Sequence, residues 1–121
     1  MPGAEGVILG KYYEALILRL LQTQAPAWVI GPVWEGSRID DEAGIDLFVD
    51  TIYGRVPIQV KSKVDNKIHP NTRLKKRRFR YEEAGIAYVT CKSRKNHPKE
   101  DAVILVELLT SIQKVLHVNV G

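Results

Sequence analysis

"GIDLFVDTIYGRVPIQVKSK", residues 44–63, decides how the chain is read. Two runs with β-branched and aromatic residues, about Ile45 to Asp50 and Val56 to Ser62, flank a tight connection at "TIYG", which predicts a β-hairpin. Residues two apart in a strand face the same way, so Gln59 and Lys61 share one face while Ile58 and Val60 share the other. A two-residue loop at Ile52 and Tyr53 sets Asp46 opposite Gln59, and a loop at Tyr53 and Gly54 sets it opposite Lys61. Either register gathers Asp46, Gln59 and Lys61 on one face, with Cβ atoms about 5 to 8 Å apart.

Upstream, Leu9, Tyr13, Leu16, Ile17, Leu20 and Leu21 recur at helical spacing and predict an amphipathic helix from about Val7 to Gln22, which "TQAPAW" stops. "WVIGPVWEG" reads as a short strand with a Gly-Pro irregularity, and "GSRIDDEAG" as a polar, acidic loop. Downstream, "NTRLKKRRFRYEEAG" has good helix formers, Asn71 or Thr72 as N-cap and Gly85 as a stop. "IAYVTCKS" and "DAVILVEL" read as strands on either side of "RKNHPKE", and "LLTSIQKVLHV" as a closing helix. No internal repeat or linker interrupts this order of helix, three strands, helix, two strands, helix. The expected fold is a single α/β domain over residues 1–121, a mixed central sheet flanked by helices.

Composition sets the outer bounds. A chain of 121 residues, 45% hydrophobic, can bury one core but not two. Cys91 is the sole cysteine and makes no internal disulfide, and "MPGAEGVILGKYY" lacks the basic start and long apolar stretch of a signal peptide. No apolar run approaches the roughly 20 residues of a membrane span. These features lead to the expectation of a soluble, cytoplasmic protein with no membrane partner. Net charge is +4, but it is distributed unevenly: residues 1–60 carry four Lys/Arg and eight Asp/Glu, whereas residues 61–100 carry thirteen and four. Such asymmetry points to a polyanion, and DNA is the expected partner. Six Lys/Arg fall between Arg73 and Arg80 without a carboxylate among them, a self-repelling arrangement that nearby phosphates relieve. The expected DNA contacts are Lys63, Arg73, Lys75, Lys76, Arg77, Arg78 and Arg80. The alternative is a solvated helix whose long side chains lie over the core.

The hairpin carries the chemistry. The Asp46 carboxylate, with an oxygen from Gln59 or the Val60 backbone, can hold Mg²⁺, which takes hard oxygen ligands and keeps several waters. The metal polarises a phosphoryl oxygen and yields hydroxide, while Lys61 positions the water or offsets developing charge. Asp46, twelve intervening residues, then Gln59-Val60-Lys61 resembles the D-X(n)-(D/E/Q)-X-K core of the PD-(D/E)XK nuclease superfamily. The form "GID...IQVK" is most similar to Holliday-junction resolvases and Mrr-like restriction endonucleases. That resemblance implies a restriction-endonuclease-like αβββαβ core, Mg²⁺ as cofactor with Mn²⁺ as a substitute, and Asp46, Gln59 and Lys61 as catalytic residues. It also implies a further metal-binding glutamate on the first helix, here Glu14, which borders the buried stripe through Ile17 and Leu21. Ile45 stands where proline is usual. Gln59 replaces the usual acidic residue, which removes a charge from the metal site.

The expectation is a Mg²⁺-dependent DNA endonuclease, with junction or branched DNA as candidate substrates and a homodimer as the assembly. A non-catalytic DNA-binding subunit that keeps the fold is the alternative. For single residues the plainer roles are a strand-end cap for Asp46, a surface ion pair for Glu14 and a core position for Cys91. Glu35, Asp40, Asp41 and Glu42 are rival ligands. His69, His97 and His117 lack metal-ligand spacing. The apolar face around Leu108, Leu109, Ile112 and Leu116 is the candidate dimer interface, with the core as its other destination.

Overall fold

A computed structural model of the chain describes residues 2–30, 34–35, 45–61, 78–92 and 97–117, with side chains from residue 12 onward except at 34–35. Helix α1 (Pro2–Thr23) begins earlier than the apolar spacing predicts. Proline is tolerated in a first helical turn because its missing N–H would have no intrahelical partner there. The expected stripe is buried: Tyr13, Leu16, Ile17, Leu20 and Leu21 all face the core. The chain then reverses, and Val29 pairs with Thr51 in an isolated bridge.

Strand β1 (Trp34–Glu35) lies antiparallel to β2 (Leu47–Thr51), with Trp34 opposite Phe48. Five steps from Val29 to Trp34 correspond to only three from Thr51 to Phe48, so the bridge and β1 do not share one register. Strand β3 (Gly54–Lys61) completes the hairpin with Leu47 opposite Ile58 and Thr51 opposite Gly54, which leaves a two-residue loop at Ile52 and Tyr53. The Thr51 hydroxyl braces that loop, donating to the Gly54 carbonyl at 2.8 Å and accepting the Tyr53 N–H at 3.1 Å. Gly54 takes φ 135°, a value side chains disfavour, which fixes the turn at this position.

Helical residues 78–83 form α2, and Gly85, at φ 84°, ends it as its sequence position predicts. Strand β4 (Ala87–Thr90) then runs parallel to β3, with Gln59 opposite Tyr88 and Lys61 opposite Thr90. The sheet order is β1-β2-β3-β4, with β2, β3 and β4 as its three substantial strands.

The second of the two expected final strands does not form. "DAVILVEL" and the residues after it make one helix, α3 (Asp101–Leu116). A short apolar run rich in Val, Ile and Leu suits either a buried strand or a buried helix, and the pattern alone does not separate them. Packing does: Ile104, Leu108, Ser111 and Ile112 are buried at helical spacing, while Val103 and Val106 on the other side are 51% and 65% exposed. Leu108 and Ile112 are fully buried, so these members of the expected dimer interface belong to the core, and Leu109 and Leu116 pack against it.

One apolar cluster joins the layers. Leu47 and Val49 of β2, Val56 and Ile58 of β3, and Ala87 and Val89 of β4 meet the buried stripes of α1 and α3. Helix α3 also closes the outer edge of β4: Tyr88 N–H donates to Ser111 Oγ at 2.9 Å, and Thr90 N–H to Glu107 Oε1 at 3.2 Å. An edge strand otherwise presents unpaired donors to other chains, and here two side chains of a helix take that place. Among the described residues no helix is long and apolar enough to cross a membrane.

Candidate functional site

The hairpin adopts the first of the two expected registers. Continuing the pairing of Leu47 with Ile58 by one residue sets Asp46 opposite Gln59, just before β2 begins. The Asp46 N–H donates to the Ile58 carbonyl, and Asp46 Oδ2 accepts the Val60 N–H, both at 2.8 Å. A side chain thus takes the Val60 donor that a longer β2 would satisfy with its backbone, the strand-end capping that the sequence offers as the plainer role of Asp46. An extended residue projects its N–H and C=O to the same edge, so the Val60 carbonyl also faces the Asp46 side. Gln59 is only 6% exposed, and among the described residues every buried side-chain polar atom has a hydrogen-bond partner. Lys61, next on that face, is half-buried, and its carbonyl accepts the Cys91 N–H at 3.0 Å.

Asp46, Gln59, Val60 and Lys61 are therefore neighbours at one end of the sheet. Glu14 is half-buried on α1 beside Tyr13. The Tyr13 ring lies 5.9 Å from Lys92 Nζ and is close enough to Cys91 for its hydroxyl pKa to be raised, first by burial and then by Cys91 and Tyr12. Cys91 follows β4 and bonds to Lys61, so Tyr13 lies near the end of the sheet where β3 and β4 finish, while the α1 stripe packs on the face of Leu47, Ile58 and Val89, the one opposite Gln59 and Lys61.

The hairpin donors are all oxygens, with carboxylate charge from Asp46 and neutral oxygens from Gln59 and Val60. Such a set fits Mg²⁺, whose shell is completed by water, better than Zn²⁺ or another metal that favours nitrogen and sulfur. Among the described residues there is no group of three or more His, Cys, Asp or Glu able to hold a metal. The arrangement suits a weakly held hard cation and does not form an all-protein cage.

Along the edge of β4 lies a second polar group, which the sequence pattern does not reveal. Glu107 Oε2 accepts Lys99 Nζ at 2.8 Å, while Oε1 accepts the Thr90 hydroxyl at 3.1 Å and Arg78 Nη2. Lys99 Nζ also donates to Thr90 Oγ1 at 2.6 Å. Burial pushes the Glu107 carboxyl up, but its hydrogen bonds and charge interactions with Lys99 and Arg78 together outweigh this and hold it below its ordinary value. The nearby Cys91 thiol is pushed up to about 12, first by burial and then by the Glu107 charge, with Lys99 acting the other way. The one hint in the sequence is that Glu107 stands alone as a carboxylate inside an apolar run.

This network reassigns one of the expected DNA contacts. The Arg78 side chain is turned inward, 23% exposed, paired with Glu107 and placed over the Tyr88 ring at 5.7 Å. Arg80, two residues on, is exposed. Lys63, Arg73, Lys75, Lys76 and Arg77 lie outside the described residues, as do the N-cap candidates Asn71 and Thr72 and the rival ligands Asp40, Asp41 and Glu42. The side chain of Glu35 is likewise outside them.

The class these observations define is a mixed α/β domain whose sheet is flanked by helices. No protein family, curated protein or solved structure matches the chain.

Proposed function

We propose that the chain is a Mg²⁺-dependent DNA endonuclease of the PD-(D/E)XK type. The observation that carries this reading is the hairpin register, which sets Asp46 across from Gln59 and bonds its carboxylate to Val60, so that Asp46, Gln59, Val60 and Lys61 adjoin one another. The order of helix, three strands, helix and strand supports it, since the αβββαβ core implied by the motif has that order. Asp46, Glu14 and the oxygens of Gln59 and Val60 would hold Mg²⁺, which supplies Lewis-acid activation of water and of the scissile phosphate. Lys61 orients the attacking water and offsets negative charge as it develops on the phosphorus. The basic residues Lys63, Arg73, Lys75, Lys76, Arg77 and Arg80 attract the DNA backbone. Cutting both strands requires two sites, which a closed two-fold homodimer supplies.

A non-catalytic DNA-binding subunit is the second reading. It is favoured by the neutral, buried Gln59 and by the bond that already occupies Asp46 Oδ2. Incubation of the purified protein with duplex, flapped and four-way-junction DNA, with Mg²⁺ or with EDTA, separates the two. Metal-dependent cleavage that disappears in Asp46→Asn and Lys61→Ala, with DNA binding retained, is the expected result. Cleavage that survives both substitutions overturns the site, and binding without cleavage by the wild type establishes the second reading.

A further inference from the structure

We infer that Lys99 is a second phosphate-binding cation beside Lys61, the two ammonium groups holding one phosphate group between them, here a phosphate of the DNA backbone. This rests on the proposed nuclease function and adds a residue to its site. In the parallel β3–β4 pair Lys61 stands opposite Thr90, so the two side chains project from the same face about 5 Å apart. Lys99 Nζ donates to Thr90 Oγ1 at 2.6 Å, which brings its charge onto that face. Backbone bonds fix the same placement: the Lys99 N–H donates to the Cys91 carbonyl at 2.9 Å, and the Cys91 N–H to the Lys61 carbonyl at 3.0 Å. Lys61 and Lys99 thus flank the end of β4, two strand spacings or about 10 Å apart at the backbone, with the Thr90 side chain between them.

Charge and burial indicate the occupant. Around Thr90 two cations, Arg78 and Lys99, meet the single carboxylate of Glu107, which leaves one positive charge over, and Lys61 adds another. Glu82, the next carboxylate along this edge, accepts the Ser111 hydroxyl, and Asp46, diagonal to Lys61, is the metal ligand of the proposed site. Lys99 is 21% exposed and Lys61 half-buried, so both reach solvent from a partly desolvated setting. An ammonium has three N–H donors; Lys99 gives one to Thr90 and one to Glu107 and keeps the third. Two lysines placed in this way repel each other, and an anion with several oxygens relieves that repulsion through charge-assisted hydrogen bonds. A phosphodiester has two non-bridging oxygens, one for each ammonium.

The test follows backbone amide NMR signals of the full chain during titration with inorganic phosphate, with chloride at matched ionic strength as the blank. In the wild type the Lys61, Thr90 and Lys99 amides are expected to shift with phosphate only. Lys99→Gln should weaken that binding about tenfold or more, and Lys99→Arg should retain most of it. Glutamine still offers a donor to Thr90 or Glu107, and unchanged signals at the Ile52–Tyr53 turn check that the variant is folded. Lys61→Ala, which removes none of the bonds around Glu107, is expected to give the same loss at the Thr90 amide. Absence of phosphate-specific shifts in the wild type, or unchanged affinity in Lys99→Gln or Lys61→Ala, overturns the inference. Duplex DNA with Mg²⁺ forms the second arm: cleavage slowed at least about tenfold in Lys99→Gln and restored in Lys99→Arg supports a backbone phosphate as the occupant. Cleavage undiminished in Lys99→Gln overturns the inference while leaving the nuclease proposal standing. Phosphate binding that depends on Lys99 in a protein that cleaves no DNA supports the site, with free phosphate as its occupant, and removes the nuclease proposal.

Discussion

Asp46 and Glu107 perform the same local task on opposite sides of the β3–β4 pair. Each carboxylate accepts a strand N–H, from Val60 in one case and from Thr90 in the other. Their electrostatic surroundings differ. Glu107 is matched within the fold by Arg78 and Lys99 and also receives the Thr90 hydroxyl. Asp46 sits across from an amide, beside a backbone carbonyl and diagonal to Lys61. A carboxylate neutralised by two cations of its own chain holds the structure together. Asp46 caps the end of a strand beside the Gln59 side chain and Lys61, and its metal-ligand role is the one proposed above. Acidic residues in the sequence do not announce which partners they take; the fold supplies them.

Removing Glu107 should produce the largest change in stability. Glu107→Ala leaves Arg78 and Lys99 partly buried without their counter-charge and the Thr90 N–H without its acceptor, a loss of about 3 to 5 kcal/mol measurable by urea unfolding. The pH dependence of the wild type carries the same signature. The Glu107 pKa is lower in the folded protein than in the unfolded chain, so its stabilisation is complete above the unfolded value of about 4.3 and fades as pH falls through the folded one. Unfolding free energy should therefore drop on acidification below about pH 4, and Glu107→Gln should flatten that limb. If Glu107→Ala unfolds like the wild type, the contrast between the two carboxylates fails.

A middle-sized effect is expected at the other helix contact with β4. Ser111→Ala deprives the Tyr88 N–H of its acceptor and Glu82 of its donor, which should cost about 1 to 3 kcal/mol. Hydrogen exchange at the Tyr88 amide, faster in the variant, would locate the loss at this edge. A uniform rise in exchange across the sheet would instead mean that Ser111 acts through general packing.

Asp46→Asn should disturb stability least, by under about 1 kcal/mol, because the asparagine oxygen can still accept the Val60 N–H. Calorimetric titration with Mg²⁺ then sharpens the comparison: binding seen in the wild type and lost in this variant, while Glu107→Gln retains it, places the cation at the hairpin. A destabilisation of Asp46→Asn as large as that of Glu107→Ala would make both carboxylates structural.

Much of the fold follows from local pattern. The buried stripe of α1, the alternation in β2 and the stop at Gly85 each depend on residues a few positions apart, so the sequence alone determines them. It also determines that Asp46, Gln59 and Lys61 share one face, because both hairpin registers preserve that outcome. Tertiary packing decides the rest. It selects the register with Asp46 opposite Gln59, turns "DAVILVEL" into the start of α3 by burying Ile104, Leu108 and Ile112 together, and draws Arg78 from the basic run to Glu107. The physical reason is separation along the chain. Arg78 and Glu107 are 29 residues apart, and their attraction exists only after α2 and α3 have docked on β4. An apolar run resolves into helix or strand only when it meets the surface that buries it.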